Sequence, residues 1–173
     1  ECDVEEIVAF YWTEAQREGV RPDIALAQAL VETGYFGFGG TVKPKQNNFC
    51  GLGTTGKKVK GAKFKTPELG VRAHIQHLHA YGTTEEFTLT NELIDKRYKW
   101  VLPRGKAPTI FELAGTWAAD KEYGKKLDKI LTKMEELNIL QSYSDDYLDT
   151  KNTPFKCNLI VANSADEIQF YKD

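Results

Sequence analysis

A lone carboxylate stands out first. Glu32 closes the apolar run Leu26-Ala27-Gln28-Ala29-Leu30-Val31-Glu32-Thr33-Gly34-Tyr35-Phe36. Apolar and aromatic surroundings disfavour the charged form of a carboxyl and raise its pKa. A glutamate tuned in this way works as a general acid near neutral pH. At helical spacing Gln28 lies one turn before Glu32, and Tyr35 and Phe36 one turn after it, on the same face. A helix-end glutamate paired to an arginine is the structural alternative. Three histidines, His74, His77 and His79, fall in one later stretch. Only His74 and His77 share a helical face and no third ligand accompanies them, so polar or half-buried helix positions are expected rather than a metal site. No metal or other cofactor is expected.

The elements that must position Glu32 can be read from periodicity and caps. From Asp3 to about Glu18, apolar residues at Val4, Ile7, Val8, Tyr11, Trp12 and Ala15 have amphipathic-helix spacing. Asp3 and Glu6 suit a capping box, and Gly19 a stop. Pro22 and Asp23 open the helix that carries Glu32. Its apolar character nearly all round predicts burial, and Ala25, Ala27 and Ala29 permit close approach by its neighbours.

A Gly/Pro/Asn-rich loop follows, leading through Asn47-Asn48-Phe49-Cys50-Gly51-Leu52-Gly53 into an expected β-hairpin. Thr54 to Lys57 supply its turn, and Val59 to Phe64 its returning strand. Lys57, Lys58, Lys60, Lys63 and Lys65 suit either a solvated edge or a nearby anionic polymer. Thr66-Pro67-Glu68 starts a helix to about Tyr81. A short helix over Asn91–Lys96 is expected, then Arg97-Tyr98-Lys99-Trp100, which mixes cations with aromatic faces. Thr109 and Glu112 predict a capped helix through Phe111, Leu113, Ala114 and Trp117. After a break at Asp120–Glu122, a long helix carries Tyr123, Leu127, Ile130, Leu131, Met134 and Leu137 on one stripe.

Beyond Asn138 the composition changes. Ser142 to Pro154 reads as an acidic linker, Cys157 to Ala162 as a strand, and Ser164 with Glu167 as the cap of a short helix. Two regions are therefore expected: 1–140 as the main domain, and 141–173 as a linker with an appendage or the start of a further domain. A chain of 173 residues is long enough for a real core. The net charge of −2 gives no global attraction to nucleic acid, and no apolar run reaches a membrane span. No signal peptide is visible at Glu1. Three scattered cysteines match neither a disulfide framework nor a zinc motif; Cys50 is expected as a buried thiol, and a Cys2–Cys157 pair stays open.

Three motifs in order resemble the endo-β-N-acetylglucosaminidases of glycoside hydrolase family 73, bacterial cell-wall glucosaminidases with a lysozyme-like fold. Ala27-Gln28-Ala29-Leu30-Val31-Glu32-Thr33-Gly34-Tyr35 looks like the acid-bearing helix end. Asn47-Asn48-Phe49-Cys50-Gly51-Leu52 is similar to the turn before the family's hairpin. Thr116-Trp117-Ala118-Ala119-Asp120-Lys121-Glu122-Tyr123 resembles its Tyr-Ala-Thr-Asp-Pro-x-Tyr stretch. The resemblance spans about Asp3 to Asn138. It implies a mainly α (α+β) fold, a lysozyme-like helical domain with a small β-hairpin lobe, followed here by a short strand-helix tail.

The resemblance also implies hydrolysis of peptidoglycan between N-acetylglucosamine and N-acetylmuramic acid, with Glu32 as general acid. Gln28, Tyr35, Phe36, Asn47, Asn48, Tyr98, Trp100, Trp117, Asp120 and Tyr123 are the implied substrate-binding residues. The chain departs from the family at Trp117, which stands at a tyrosine position; an indole stacks on sugars but holds no phenolic proton. Tyr98 or Tyr123 would have to stand in. Many members also carry an acid in the hairpin, whereas no Asp or Glu lies between Glu32 and Glu68 here. Glu68 is the nearest second carboxyl, with Asp95 and Asp120 further candidates. A 2-acetamido substrate relaxes that need, because its own carbonyl oxygen can attack the anomeric carbon. Glycan strands of peptidoglycan are the expected partner, with no nucleic acid, a monomeric state, and a secreted, cell-wall or phage-borne setting. A lytic transglycosylase and a non-catalytic wall-binding module are the rival readings.

Overall fold

Burial of the second helix organises the fold. The computed structural model describes residues 3–56, 59–83 and 89–137. Within them lie α1 (Val4–Glu18), α2 (Pro22–Thr33), α3 (Pro67–Gly82) and α4 (Tyr123–Glu136), with 3₁₀ turns at Pro44–Gln46 and Lys96–Trp100. α2 packs against α1, α3 and α4, and α1 packs against α3. Ala25, Ala27 and Ala29 are fully buried, so three helices approach α2 closely. Ile7, Tyr11, Trp12, Ile24, Val71, Ile75, Leu78, Leu127 and Leu131 join them in the main core. Among the described residues no helix is long and apolar enough to cross a membrane.

The helix boundaries follow the sequence signals closely. α1 ends at Gly19 and α2 at Gly34, both with left-handed backbone. Thr66 accepts a bond from the Leu69 amide and caps α3. The Asp3 box does not form, because the Asp3 side chain makes no cap bond. α4 buries Tyr123, Leu127, Leu131 and Met134, while Leu137 is exposed.

Ion pairs that periodicity did not reveal tie the helices together. Glu14 of α1 is buried and takes Arg72 Nε at 2.7 Å and Arg17 at 2.7 Å. Glu18 accepts from the Thr90 and Asn91 amides. Gly70 has no side chain because α3 lies on the loop there: a β-carbon would stand 1.8 Å from the Asn47 carbonyl oxygen.

Three expectations are corrected. The hairpin strands are not formed among the described residues. Gln46 and Asn48 side chains both take the Ala62 carbonyl, and Asn47 takes that of Phe64. Amide side chains thus occupy carbonyls that a strand ladder would need, and the two legs meet through the backbone bonds Ala62 to Leu52 and Phe64 to Gln46. The helix expected over Asn91–Lys96 gives way to the later turn Lys96–Trp100, capped by the Asp95 side chain on the Arg97 amide. The helix expected from Thr109 is a series of turns. Glu112 does reach back to the Thr109 amide, but Gly115 takes a φ of 81° and the Thr116 hydroxyl occupies the Glu112 carbonyl. The expected strand and helix of the tail, the possible Cys2–Cys157 pair, Lys57 and Lys58 lie outside the described residues. The mainly helical architecture agrees with the helical domain that the resemblance implies.

Candidate active site

Glu32 sits in the last turn of α2, and the residues beyond it have unusual backbone. Tyr35, Phe36 and Phe38 all have left-handed φ, at 56°, 60° and 48°. Such a conformation costs roughly 1–2 kcal/mol for each non-glycine residue. Local bonds offset this: the Phe36 amide donates to Thr33 Oγ1 at 2.9 Å, and the Phe38 amide to the Thr33 carbonyl at 2.8 Å. Phe36 and Phe38 both pack on Phe49, with ring centres 6.2 Å away. The tight coil turns the chain away at once and leaves the Glu32 side chain uncovered. Full burial, as an apolar helix predicts, is therefore corrected: Glu32 is solvent-exposed as a residue.

Its carboxyl nevertheless lies against protein on the inner side. Tyr123 donates its hydroxyl to Glu32 Oε1 at 2.6 Å, and the Trp117 indole N–H donates to the same oxygen at 3.2 Å. Packing around the carboxyl raises its pKa, and the two donated bonds partly oppose that rise. Oε2 faces the loop. A β-carbon at Gly51 would come 3.7 Å from it, an ordinary van der Waals contact, so Oε2 lies on the Gly51 side. One oxygen thus holds two donors, and the other is free to carry a proton.

Behind this pair runs a buried line of polar groups. Gln28 Nε2 donates to the Tyr123 oxygen at 3.1 Å. Gln28 Oε1 meets His74 Nε2 at 2.9 Å, and His74 Nδ1 meets the Tyr11 hydroxyl at 2.8 Å. Burial pushes His74 down to about 3, with His77 adding to the effect. His77 and His79 are each pushed down to about 4, again chiefly by burial. All three histidines are buried and neutral rather than half-exposed. His74, His77 and Tyr81 surround the Trp117 ring, at centre distances of 5.8, 6.1 and 5.0 Å.

The structure sorts the expected site residues. Tyr123 and Trp117 both reach Glu32, and Tyr123 brings a phenolic hydroxyl to it where position 117 holds an indole. Gln28 is 0% exposed and contacts Tyr123, so it lies behind Glu32 and not on the surface. Asn48 is buried and, like Asn47, braces the loop that carries Gly51. Phe36 packs inward on Phe49. Tyr35 and Trp100 are 70% and 72% exposed, available as platforms. Tyr98 lies under the Arg104 guanidinium, 3.9 Å from its ring centre.

Each other candidate carboxylate has a cation. Glu68 pairs with Arg72 at 3.0 Å, Asp95 with Arg97 at 2.7 Å and Asp120 with Lys126 at 2.6 Å. Asp120 also accepts from the Glu122 amide, and it is held below its usual pKa first by Lys126. Cys50 is buried as expected, its thiol pushed well up by burial and then by Glu32. Sequence reasoning missed Tyr11, His74 and Tyr81. The available signal was a polar tip inside an apolar stripe at Tyr11, and a histidine pair three residues apart facing the core.

A model of the glucosaminidase family, described as mannosyl-glycoprotein endo-beta-N-acetylglucosaminidase, matches residues 8–136. The chain is 43% identical over 135 residues, 78% of its length, to an uncharacterized protein of Borreliella burgdorferi. It spans 65% of that relative's own length. No solved structure matches. The matched region contains Glu32, Gly51, Trp117 and Tyr123, the residues that the fold gathers at one carboxyl, and this chain belongs to the glucosaminidase family, the endo-β-N-acetylglucosaminidases of glycoside hydrolase family 73.

Proposed function

We propose that the protein hydrolyses the β-1,4 bond between N-acetylglucosamine and N-acetylmuramic acid in peptidoglycan, with Glu32 as general acid. The observation that carries this reading is the 2.6 Å bond from the Tyr123 hydroxyl to Glu32 Oε1. With Oε1 taken by Tyr123 and Trp117, the proton to be transferred resides on Oε2, the oxygen on the Gly51 side. Glu32 Oε2–H gives that proton to the glycosidic oxygen as the C1–O bond breaks. The two donors on Oε1 then stabilise the carboxylate that remains.

Glu68, Asp95 and Asp120 are all paired to cations, so the nucleophile falls to the substrate. The carbonyl oxygen of its 2-acetamido group bonds to C1 and forms a cyclic oxazolinium. Water then opens this ring and returns a proton to Glu32. The exposed faces of Tyr35 and Trp100 suit sugar stacking, and the exposed Lys60, Lys63 and Lys65 suit an anionic polymer. Action on wall glycan implies a secreted, wall-associated or phage-borne protein.

Digestion of purified peptidoglycan tests the reading. Wild type is expected to release new reducing N-acetylglucosamine ends, and Glu32→Gln to release none while keeping its fold. Cleavage by Glu32→Gln overturns the assignment. Anhydromuramic ends from the wild type would identify a lytic transglycosylase instead.

A further inference from the structure

The line of bonds behind Tyr123 has a direction. Tyr123 owns one hydroxyl proton, and with the proton of the acid on Oε2 the Glu32 Oε1 at 2.6 Å has none to give, so Tyr123 donates. The Tyr123 oxygen accepts from Gln28 Nε2. An amide that spends its NH₂ there presents Oε1 to His74, which must then carry hydrogen on Nε2. His74 Nδ1 is left bare and accepts the Tyr11 hydroxyl. Reversing one link reverses them all, and the reversed chain turns the Tyr123 proton onto Gln28 and away from Glu32.

Tyr11, Gln28 and His74 are each 0% exposed, so no solvent replaces a missing link. Each helix contributes one member: Tyr11 from α1, Gln28 from α2, His74 from α3 and Tyr123 from α4. A core that needed only packing would fill these positions with apolar side chains, since a buried polar network helps only when every member is satisfied.

We propose that Gln28 and His74 are positioning residues of the glycosidase reaction: the directed chain Tyr11 to His74 to Gln28 holds Tyr123 as a donor to Glu32 alone. The proposal rests on Glu32 being the general acid. His74 is pushed down to about 3, so it stays neutral and Nδ1 stays an acceptor across the range in which a glycosidase works. Groups facing His74 are Tyr11, His77 and the Trp117 ring. Groups facing Glu32 are Tyr123, Trp117 and the Cys50 thiol, with Asp95 beyond it paired to Arg97. The thiol and the Tyr123 phenol are both raised, away from neutral pH, and the Glu32 carboxyl is raised by its packing.

Two measurements test this. Nitrogen-15 spectra of the histidine-labelled wild-type protein should show His74 neutral and protonated on Nε2 down to about pH 4, one unit above its lowered value. A proton on Nδ1 overturns the proposal without any mutation. In a double-mutant cycle on soluble glycan fragments, Gln28→Met should lower kcat about tenfold, the loss expected for one buried hydrogen bond. KM should stay within about twofold, since uniform binding is untouched. The alkaline limb of the pH profile should move up. Added to Tyr123→Phe, Gln28→Met should cost nothing further.

Losses that multiply, or a pH limb that stays in place, contradict a role through Tyr123. If Gln28→Met does not fold, the His74 tautomer still decides. Cleavage by Glu32→Gln would remove the general-acid reading and leave the tautomer standing. An Nδ1–H tautomer, with Glu32→Gln inactive, would remove this proposal alone.

Discussion

Glu32 holds two donors on one oxygen and leaves the other open, and that asymmetry makes the residue testable. Tyr123→Phe removes the shorter donated bond, worth about 1.5–3 kcal/mol to a charged acceptor. kcat should therefore fall about 10- to 100-fold. The bond favours the charged form, so without it the Glu32 pKa rises further and the alkaline limb of the pH–rate profile moves up; a limb that moves down would contradict the assignment. Glu32→Gln carries a second consequence. A carboxyl with a raised folded pKa is protonated more readily in the folded than in the unfolded state, so its contribution to stability falls as pH rises through the raised value. Gln has no such loss. The variant should show a higher Tm than wild type above the raised pKa, with the gain vanishing below the ordinary value of 4.5, as calorimetry across pH would show. At this scale the sequence singled out Glu32 through its apolar company. It did not reveal that the company lies on one side only, because the left-handed turn through Tyr35, Phe36 and Phe38 cannot be read from non-glycine residues.

The elements set how the site responds to acid and to crowding. α3 carries three histidines whose pKa values burial lowers to about 3, 4 and 4. A histidine with a depressed folded pKa takes up its proton on unfolding, so stability is kept above the ordinary value of 6.5 and is lost as pH falls towards the folded values. Between about pH 6 and 4.5 each buried histidine should contribute a slope of about 1.4 kcal/mol per pH unit. Replacing His79 with Asn should remove one such slope in urea titrations at several pH values. The same helix tests close approach. Gly70→Ala places a methyl 1.8 Å from the Asn47 carbonyl oxygen, so the loop must move, and a destabilisation of roughly 1–3 kcal/mol or more is expected by urea unfolding. The starts and stops of α1, α2 and α3 were legible in Gly19, Pro22, Gly34, Thr66 and Pro67. The expected hairpin strands and the helix from Thr109 were not, because Gln46, Asn47, Asn48 and Thr116 spend side-chain bonds on backbone carbonyls. Periodicity counts apolar spacing and does not see that competition.

For the whole molecule, four helices bring one polar residue each to a line that ends on Glu32. Periodicity and caps pointed to these helices, and the motif order resembled the family that the match over residues 8–136 shows. Neither showed that Tyr11 and His74, 63 residues apart in sequence, share a hydrogen bond, since long-range polar pairing leaves no local pattern. The same gap covers Gln28, read from the sequence as a substrate contact and found fully buried. The central claim is that one carboxyl, with Tyr123 and Trp117 on its inner oxygen, protonates the leaving group while the substrate's acetamido oxygen attacks. Its most direct test is the reducing-end analysis of digested peptidoglycan, wild type beside Glu32→Gln and the carboxylate variants Glu68→Gln, Asp95→Asn and Asp120→Asn. The account predicts reducing N-acetylglucosamine ends from wild type, none from Glu32→Gln, and retained cleavage from folded forms of the other three. Cleavage by Glu32→Gln, or its abolition in a folded Glu68, Asp95 or Asp120 variant, would contradict it.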